Sequence, residues 1–254
     1  MRLVLINPAL KAYDSSGNCS AIESLIVNHK HQIRPDDIIL LPEHYTFDDH
    51  KESYLQFIQK LAVTAGCTVV GGSHHRFESG KRVNAGNIVD ASGNVIAQYT
   101  KLRPYFDELK HIFPGDAFGE VTINGKNILI LICADFWYSD LILSAKQLPD
   151  VILIPSLSVS RKPTPEYSRS LWHHLAITRA YEFGAYIGIS DWSEHSSLPK
   201  LRTCGVGGFA DPTSVQPEKF FQPIDESGIS MFNLDFEALE KFREDRRMRG
   251  FYWK

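Results

Sequence analysis

The stretch LILICADFWYSD, residues 129–140, opens as a core strand and stops on a cysteine. Leu129 to Cys133 is an unbroken apolar run of strand length, rich in β-branched residues, and reads as a buried strand. An acid and an aromatic pair, Asp135-Phe136-Trp137, follow at once. Cys133 is then either one more small apolar core residue or a nucleophile held at the tip of its strand. Reactive groups in α/β proteins gather at C-terminal strand ends, where the following turn offers backbone N–H groups to an anion. A cysteine nucleophile also needs a base and an oxyanion donor nearby.

Working outward, buried strands alternate with helices. RLVLIN, DDIILLPE, CTVVGGS, PDVILIPS, AYIGISDW and CGVGGFADPTS read as strands. In Asn18 to Ile33, Ile22, Leu25, Ile26 and His29 recur at helical spacing behind the cap candidates Asp14-Ser15-Ser16. YLQFIQKLAVTAG is an amphipathic helix closed by Gly66. DLILSAKQ reads as helical, and Pro165 to Gly184 as a long helix with proline at its start and glycine at its end. ISMFNLDFEALEKFREDRR reads as a strand and then a helix. Two antiparallel pieces interrupt the alternation, one turning at Ala91-Ser92-Gly93-Asn94 and one at Asn124-Gly125, a strong short hairpin pattern. A purely parallel sheet has no such hairpins, so a mixed α/β sandwich is expected. No linker-like shift in composition divides residues 1–254, so one domain is expected.

Composition excludes several classes. The 254 residues are 43% hydrophobic and 22% charged, as in an ordinary globular protein. A formal net charge of -3, from 27 basic and 30 acidic side chains, gives no electrostatic case for nucleic acid or an anionic membrane. Cys19, Cys67, Cys133 and Cys204 are scattered, without a Cys-x-x-Cys pair, which argues against a cysteine-rich metal site. No apolar run approaches membrane-spanning length, and Pro8 interrupts the short apolar start. The expectation is a cytoplasmic protein with reduced thiols.

Two other strands end on reactive types. Glu43 closes IILLPE behind Pro42, and Lys101 closes VIAQYTK. Each alone is ordinarily a solvated surface charge. Together with Cys133 they form a constellation of base, cation and thiol. Ten histidines are present, His74-His75 and His173-His174 among them, but none stands at an obvious strand end to pair with the cysteine.

At this point the chain resembles the nitrilase, or carbon–nitrogen hydrolase, superfamily. The resembling blocks are LPE, YTKLRPYFDELKHIFPGD (Tyr99 to Asp116), LICADFW, WHHLAITRAYEFGAYIGISDWS with Arg179-Ala180-Tyr181-Glu182, CGVGGFADPTS and LDFEALEKFREDRR, and they cover nearly the whole chain. The resemblance implies a four-layer α-β-β-α sandwich with mixed sheets and a Glu43–Lys101–Cys133 triad. It also implies a second site glutamate, Glu108, seven positions ahead of Gly115. In this scheme Glu43 is the base, Cys133 the nucleophile, and Lys101 with the backbone N–H of Ala134 the oxyanion donors. No metal or cofactor is implied. The expected substrate is a small carboxamide or N-carbamoyl compound, hydrolysed through a thioester. Cys133-Ala134-Asp135 is similar to the amidase branches rather than to true nitrilases.

Expected pocket walls are Tyr105, Phe136, Trp137, Ser156 and Ser158. Arg103 departs from the family, which commonly carries histidine there; it faces either an anionic substrate or solvent. Arg179 and Glu182, three apart on one helix face, are expected to pair structurally. Nitrile hydrolysis and acyl or amide transfer on the same fold are alternatives, and a catalytically silent binding or scaffold protein is the alternative of another class. The family usually pairs, so at least a homodimer is expected, with the basic and aromatic RRMRGFYWK tail packed across its interface.

Overall fold

Apolar runs without polar alternation demand burial on both faces, and the computed structural model meets that demand with two stacked sheets covered by helices. It describes residues 1–47, 49–251 and 253. In chain order the elements are β1 (Arg2–Ile6), α1 (Ser15–His29), β2 (Ile38–Leu40), α2 (Lys51–Ala65), β3 (Thr68–Val70), β4 (His74–Glu78), β5 (Lys81–Val89), β6 (Val95–Thr100), β7 (Gly119–Ile123), β8 (Lys126–Ile130), α3 (Ser139–Leu143), β9 (Val151–Pro155), β10 (Val159–Ser160), α4 (Pro165–Phe183), β11 (Tyr186–Ser190), β12 (Arg202–Thr203), β13 (Gly208–Ala210), β14 (Phe221–Pro223), β15 (Ile229–Asn233) and α5 (Phe236–Met248).

Among the described residues, one sheet has seven strands in the order β15-β1-β2-β3-β5-β4, with β6 also paired to β5. The second has six, in the order β14-β13-β11-β9-β8-β7. β1, β2 and β3 run parallel, as do β8, β9 and β11, and the outer pairings are antiparallel. The strand period of two then sorts the core. Leu3, Leu5, Ile38 and Leu40 point inward, into a cluster shared with Ile130 and Leu153 of the other sheet. Val4, Ile6, Ile39 and Val69 point outward onto Ile22 and Ile26 of α1 and Tyr54, Ile58 and Leu61 of α2. Trp172, Ala176 and Ala180 of α4 cover the far face of the second sheet. The layers are therefore helix, sheet, sheet, helix, as the sequence leads one to expect.

Local punctuation follows elementary rules. The Asp14 carboxylate caps α1 by accepting from Gly17 N–H at 2.9 Å. Gly66 (φ 74°) and Gly184 (φ 56°) end α2 and α4 in the left-handed conformation. Asn124 (φ 50°) and Gly125 (φ 74°) make the β7–β8 hairpin turn.

Two expectations need correction, and one strand escapes the sequence. β8 ends at Ile130, not Cys133; Leu131 and Ile132 lead on to a 3₁₀ turn at Cys133–Trp137. DLILSAKQ is helical only over Ser139–Leu143. β4, built on His74-His75-Arg76, is a strand whose polar residues hide it from hydropathy. Tyr252 and Lys254 of the tail lie outside the described residues, whereas Trp253 packs partly buried against the main core of its own chain. No helix among the described residues is long and apolar enough to cross a membrane.

Candidate active site

Glu43 and Lys101 come from one sheet and Cys133 from the other, and the three meet at the seam between them. β2 leads through Leu41 and Pro42 to Glu43, which bridges to Ser73 beyond β3. β6 delivers Lys101, whose backbone N–H donates to Asn84 O at 2.8 Å. β8 delivers Cys133 from the second sheet. All three are buried, with 2%, 3% and 9% of their surface exposed.

The lysine is the hub. Its Nζ lies 2.8 Å from Glu43 Oε1 and 2.7 Å from Glu108 Oε2. Burial works against its charge, but Glu43, Glu108 and Cys133 outweigh burial and raise its pKa. The carboxylates show the same balance. Burial pushes Glu43 up, and Lys101 pulls it below its usual range. Burial also pushes Glu108 up, and contacts from His44, His75 and Lys101 hold it well below the ordinary carboxylate value. A buried charge cluster is tolerable only when every member has a partner, and here each does. Asn84 Nδ2 donates to Glu43 Oε1 at 2.8 Å and to Glu108 Oε1 at 2.9 Å. Leu157 N–H donates to Glu43 Oε2 at 3.2 Å, and Trp192 Nε1–H to the Glu43 carbonyl at 2.7 Å. Tyr105 N–H donates to Glu108 Oε2 at 3.0 Å.

Burial and the Glu43 carboxylate push the Cys133 thiol well above its ordinary value, against the pull of Lys101. The Cys133 Sγ lies 3.8 Å from Leu157 O. Its backbone has φ 46°, a left-handed conformation that costs a non-glycine residue roughly 1 kcal/mol or more. Among the described residues, seven non-glycines have positive φ; three of them, His44, Phe106 and Cys133, lie in or beside this site. Asp135 explains the acid after the cysteine. Its Oδ1 accepts from Arg103 N–H at 2.8 Å and its Oδ2 from Leu102 N–H at 3.1 Å. The carboxylate thus ties the cysteine turn to the segment after Lys101; burial raises its pKa to about 6 against these hydrogen bonds.

Sequence reasoning missed His44, His75, Asn84 and Trp192. His75 Nε2 lies 3.0 Å from Glu108 Oε1. His44 Nε2 lies 3.6 Å from both Glu43 Oε1 and Glu108 Oε1. His44, His75 and Glu108 offer ligand atoms within 4.8 Å of one another, a donor set that zinc accepts. The carboxylate is already engaged by the Lys101 ammonium and the Asn84 amide, so the cluster reads as a hydrogen-bonded brace. The usable clue was Asn84 within VNAGNIV, a polar residue inside a buried strand.

A cleft of about 450 Å³ opens over Cys133 and Ala134. Tyr105, Trp137 and Ser158 line it as expected. Phe136 and Ser156 do not: both are fully buried, Phe136 behind Trp172. Ser158 gives its hydroxyl and N–H to the buried Asp191 carboxylate. Arg103 pairs with Asp140 and lies over the ring of Tyr138, itself a wall of the cleft, at 4.1 Å. Arg179 pairs with Glu182 at 2.7 Å.

Two stacked mixed sheets between helices, with a cysteine, a lysine and two glutamates at their seam, define a hydrolase-like class of α/β sandwich. The carbon–nitrogen hydrolase model matches residues 2–198, and the chain belongs to that enzyme family. It is 26% identical over 202 residues to a Pseudomonas protegens protein described as a hydrolase in the pqqF 5′ region, covering 77% of this chain. It spans 62% of that relative's length. Among solved structures it resembles Saccharomyces cerevisiae Nit3, of branch 10 of the nitrilase superfamily, with a TM-score of 0.81, 20% identity, and 96% and 93% of the two chains covered. It also resembles an amidase from Nesterenkonia sp., with a TM-score of 0.74, 17% identity, and coverage of 98% and 96%. At these identities the structural likeness establishes the fold.

Proposed function

We propose that this chain hydrolyses the C–N bond of a small carboxamide, or of an N-carbamoyl compound, through a thioester on Cys133. The observation that carries the reading is the buried Lys101 ammonium shared by two carboxylates beside a thiol. A glutamate-to-glutamine mutant of the Nesterenkonia amidase, in which acrylamide has added to the active-site cysteine, supports a nucleophilic cysteine by analogy.

Glu43 takes the thiol proton as Sγ attacks the carbonyl carbon. The developing oxyanion is met by Lys101 and the Ala134 N–H. As Lys101 turns toward the oxyanion it relaxes its hold on Glu43, whose basicity rises when a proton must be accepted. Collapse of the tetrahedral intermediate expels the nitrogen, which takes the proton back from Glu43. Water then attacks the thioester, Glu43 accepts its proton, and the carboxylic acid leaves as the thiol reforms. Glu108, braced by His75 and Tyr105 N–H, fixes Lys101 and polarises the water. Amides are preferred to nitriles in this reading because Cys133-Ala134-Asp135 resembles the amidase branches. The working unit is at least a homodimer, the usual arrangement of the family.

Ammonia release from amides, carbamoyl amines and nitriles tests the assignment. We expect release from an amide or carbamoyl compound, lowered by roughly a hundredfold or more in Glu43→Gln and abolished in Cys133→Ala. Undiminished release from Cys133→Ala would contradict it.

A further inference from the structure

Resting on the amide-hydrolase reading, we propose that the acyl group of the substrate is bulky, uncharged and aromatic, and that it lies against Trp137, Tyr138, Leu171 and Trp172. The Cys133 sulfur opens into the same cleft as these side chains, so whatever is joined to the reacting carbonyl must occupy it. At about 450 Å³ the cleft falls in the range that encloses ligands of drug size, and acetamide would leave most of it empty. Trp137 and Trp172 meet edge to face with centroids 5.5 Å apart, a corner that suits another aromatic edge. Tyr105, Trp137, Tyr138 and Leu171 are between 41% and 53% exposed. Such a concentration of open apolar surface around a nucleophile marks a binding groove.

Charge argues the same way. Among the described residues lining the cleft, none carries a charged side chain. The hydroxyls of Ser158 and Ser168 are turned to Asp191 and Ser160 of their own chain. Two guanidiniums stand behind the rim of the cleft and are each engaged: Arg103 pairs with Asp140 and stacks on the Tyr138 ring, and Arg161 lies 3.3 Å from the Phe106 ring centroid and 5.9 Å from that of Tyr105. A substrate carboxylate against the Trp137–Trp172 corner would lose its water with no cation among the residues lining the cleft to replace it.

The test compares kcat/KM for 3-phenylpropanamide with that for 4-carbamoylbutanoate, an amide of similar reach ending in a carboxylate. We expect a ratio of roughly tenfold or more in favour of the phenyl amide, and a ratio at least several-fold smaller in Leu171→Arg, which puts a cation at the cleft wall. A ratio below tenfold, or one unmoved by Leu171→Arg, overturns the proposal. Absence of turnover with every amide would count against the hydrolase reading instead. The cleft is then read by alkylation of Cys133 with N-benzyl-2-iodoacetamide against iodoacetate, each normalised to its rate with free cysteine. A faster normalised rate for the benzyl reagent upholds the proposal; an equal or slower one overturns it.

Discussion

Lys101 holds the site together electrostatically, and its loss is expected to cost more than catalysis. Lys101→Met leaves Glu43 and Glu108 buried without their cation, which typically costs about 3–5 kcal/mol. Denaturant titration checks this; a variant as stable as the parent would contradict the buried-cluster account. His75 supplies a pH prediction. Burial and His44 lower it to about 4, against the pull of Glu108. A lowered histidine favours the neutral ring in the fold, so its contribution is present above pH 6.5 and is lost as pH falls toward 4. Half-buried His173, also lowered to about 4, acts in the same window. Asp135 and Asp191, raised to about 6 by burial, act in the opposite sense, their contribution being lost as pH rises through 6. The readout is therefore a difference between variants. His75→Asn should flatten the loss of stability between pH 6.5 and 4 by at most about 1.4 kcal/mol per pH unit, and an identical profile would contradict the assignment. At this scale the sequence disclosed the residues at strand ends. His75 and Asn84 escaped because β4 does not read as a strand, and it is the β4–β5 hairpin that sets the two side by side.

Turns between elements set the geometry that the side chains use. Gly72 follows β3 with φ 67°, and a Cβ there would sit 2.1 Å from Pro42 O, one residue before Glu43. Its carbonyl also accepts from Tyr99 OH at 2.5 Å. Gly72→Ala should therefore move Pro42 and Glu43 together. Thermal melts and turnover are expected to fall in concert, with a stability loss of about 2 kcal/mol or more; full activity would show that Glu43 tolerates the shift. The Asp135 brace makes a related prediction. Asp135→Ala orphans the Leu102 and Arg103 N–H groups, at roughly 1–3 kcal/mol for each that stays buried, and should lower turnover through Lys101. Unchanged stability and turnover would mean that the brace is dispensable. Elements were legible wherever hydropathy and turn chemistry agreed, as at Asn124-Gly125. They were misjudged where the apolar run continued past the end of the strand, as at Leu131 to Cys133.

Across the molecule, the candidate catalytic groups lie on a seam that neither sheet possesses alone. Glu43 and Lys101 follow strands of the seven-stranded sheet and Cys133 follows one of the six-stranded sheet, so sheet packing fixes their separation. This juxtaposition cannot be derived from periodicity, which sorts faces but does not place sheets; the ordered blocks of the family resemblance carried it. The most direct test of the central claim is mass spectrometry of the Cys133 peptide from protein quenched in acid while turning over an amide. The account predicts the acyl group of the substrate on Cys133 and none on Cys19, Cys67 or Cys204. Turnover that persists in Cys133→Ser, with no acyl group on Cys133 of the parent, would contradict it.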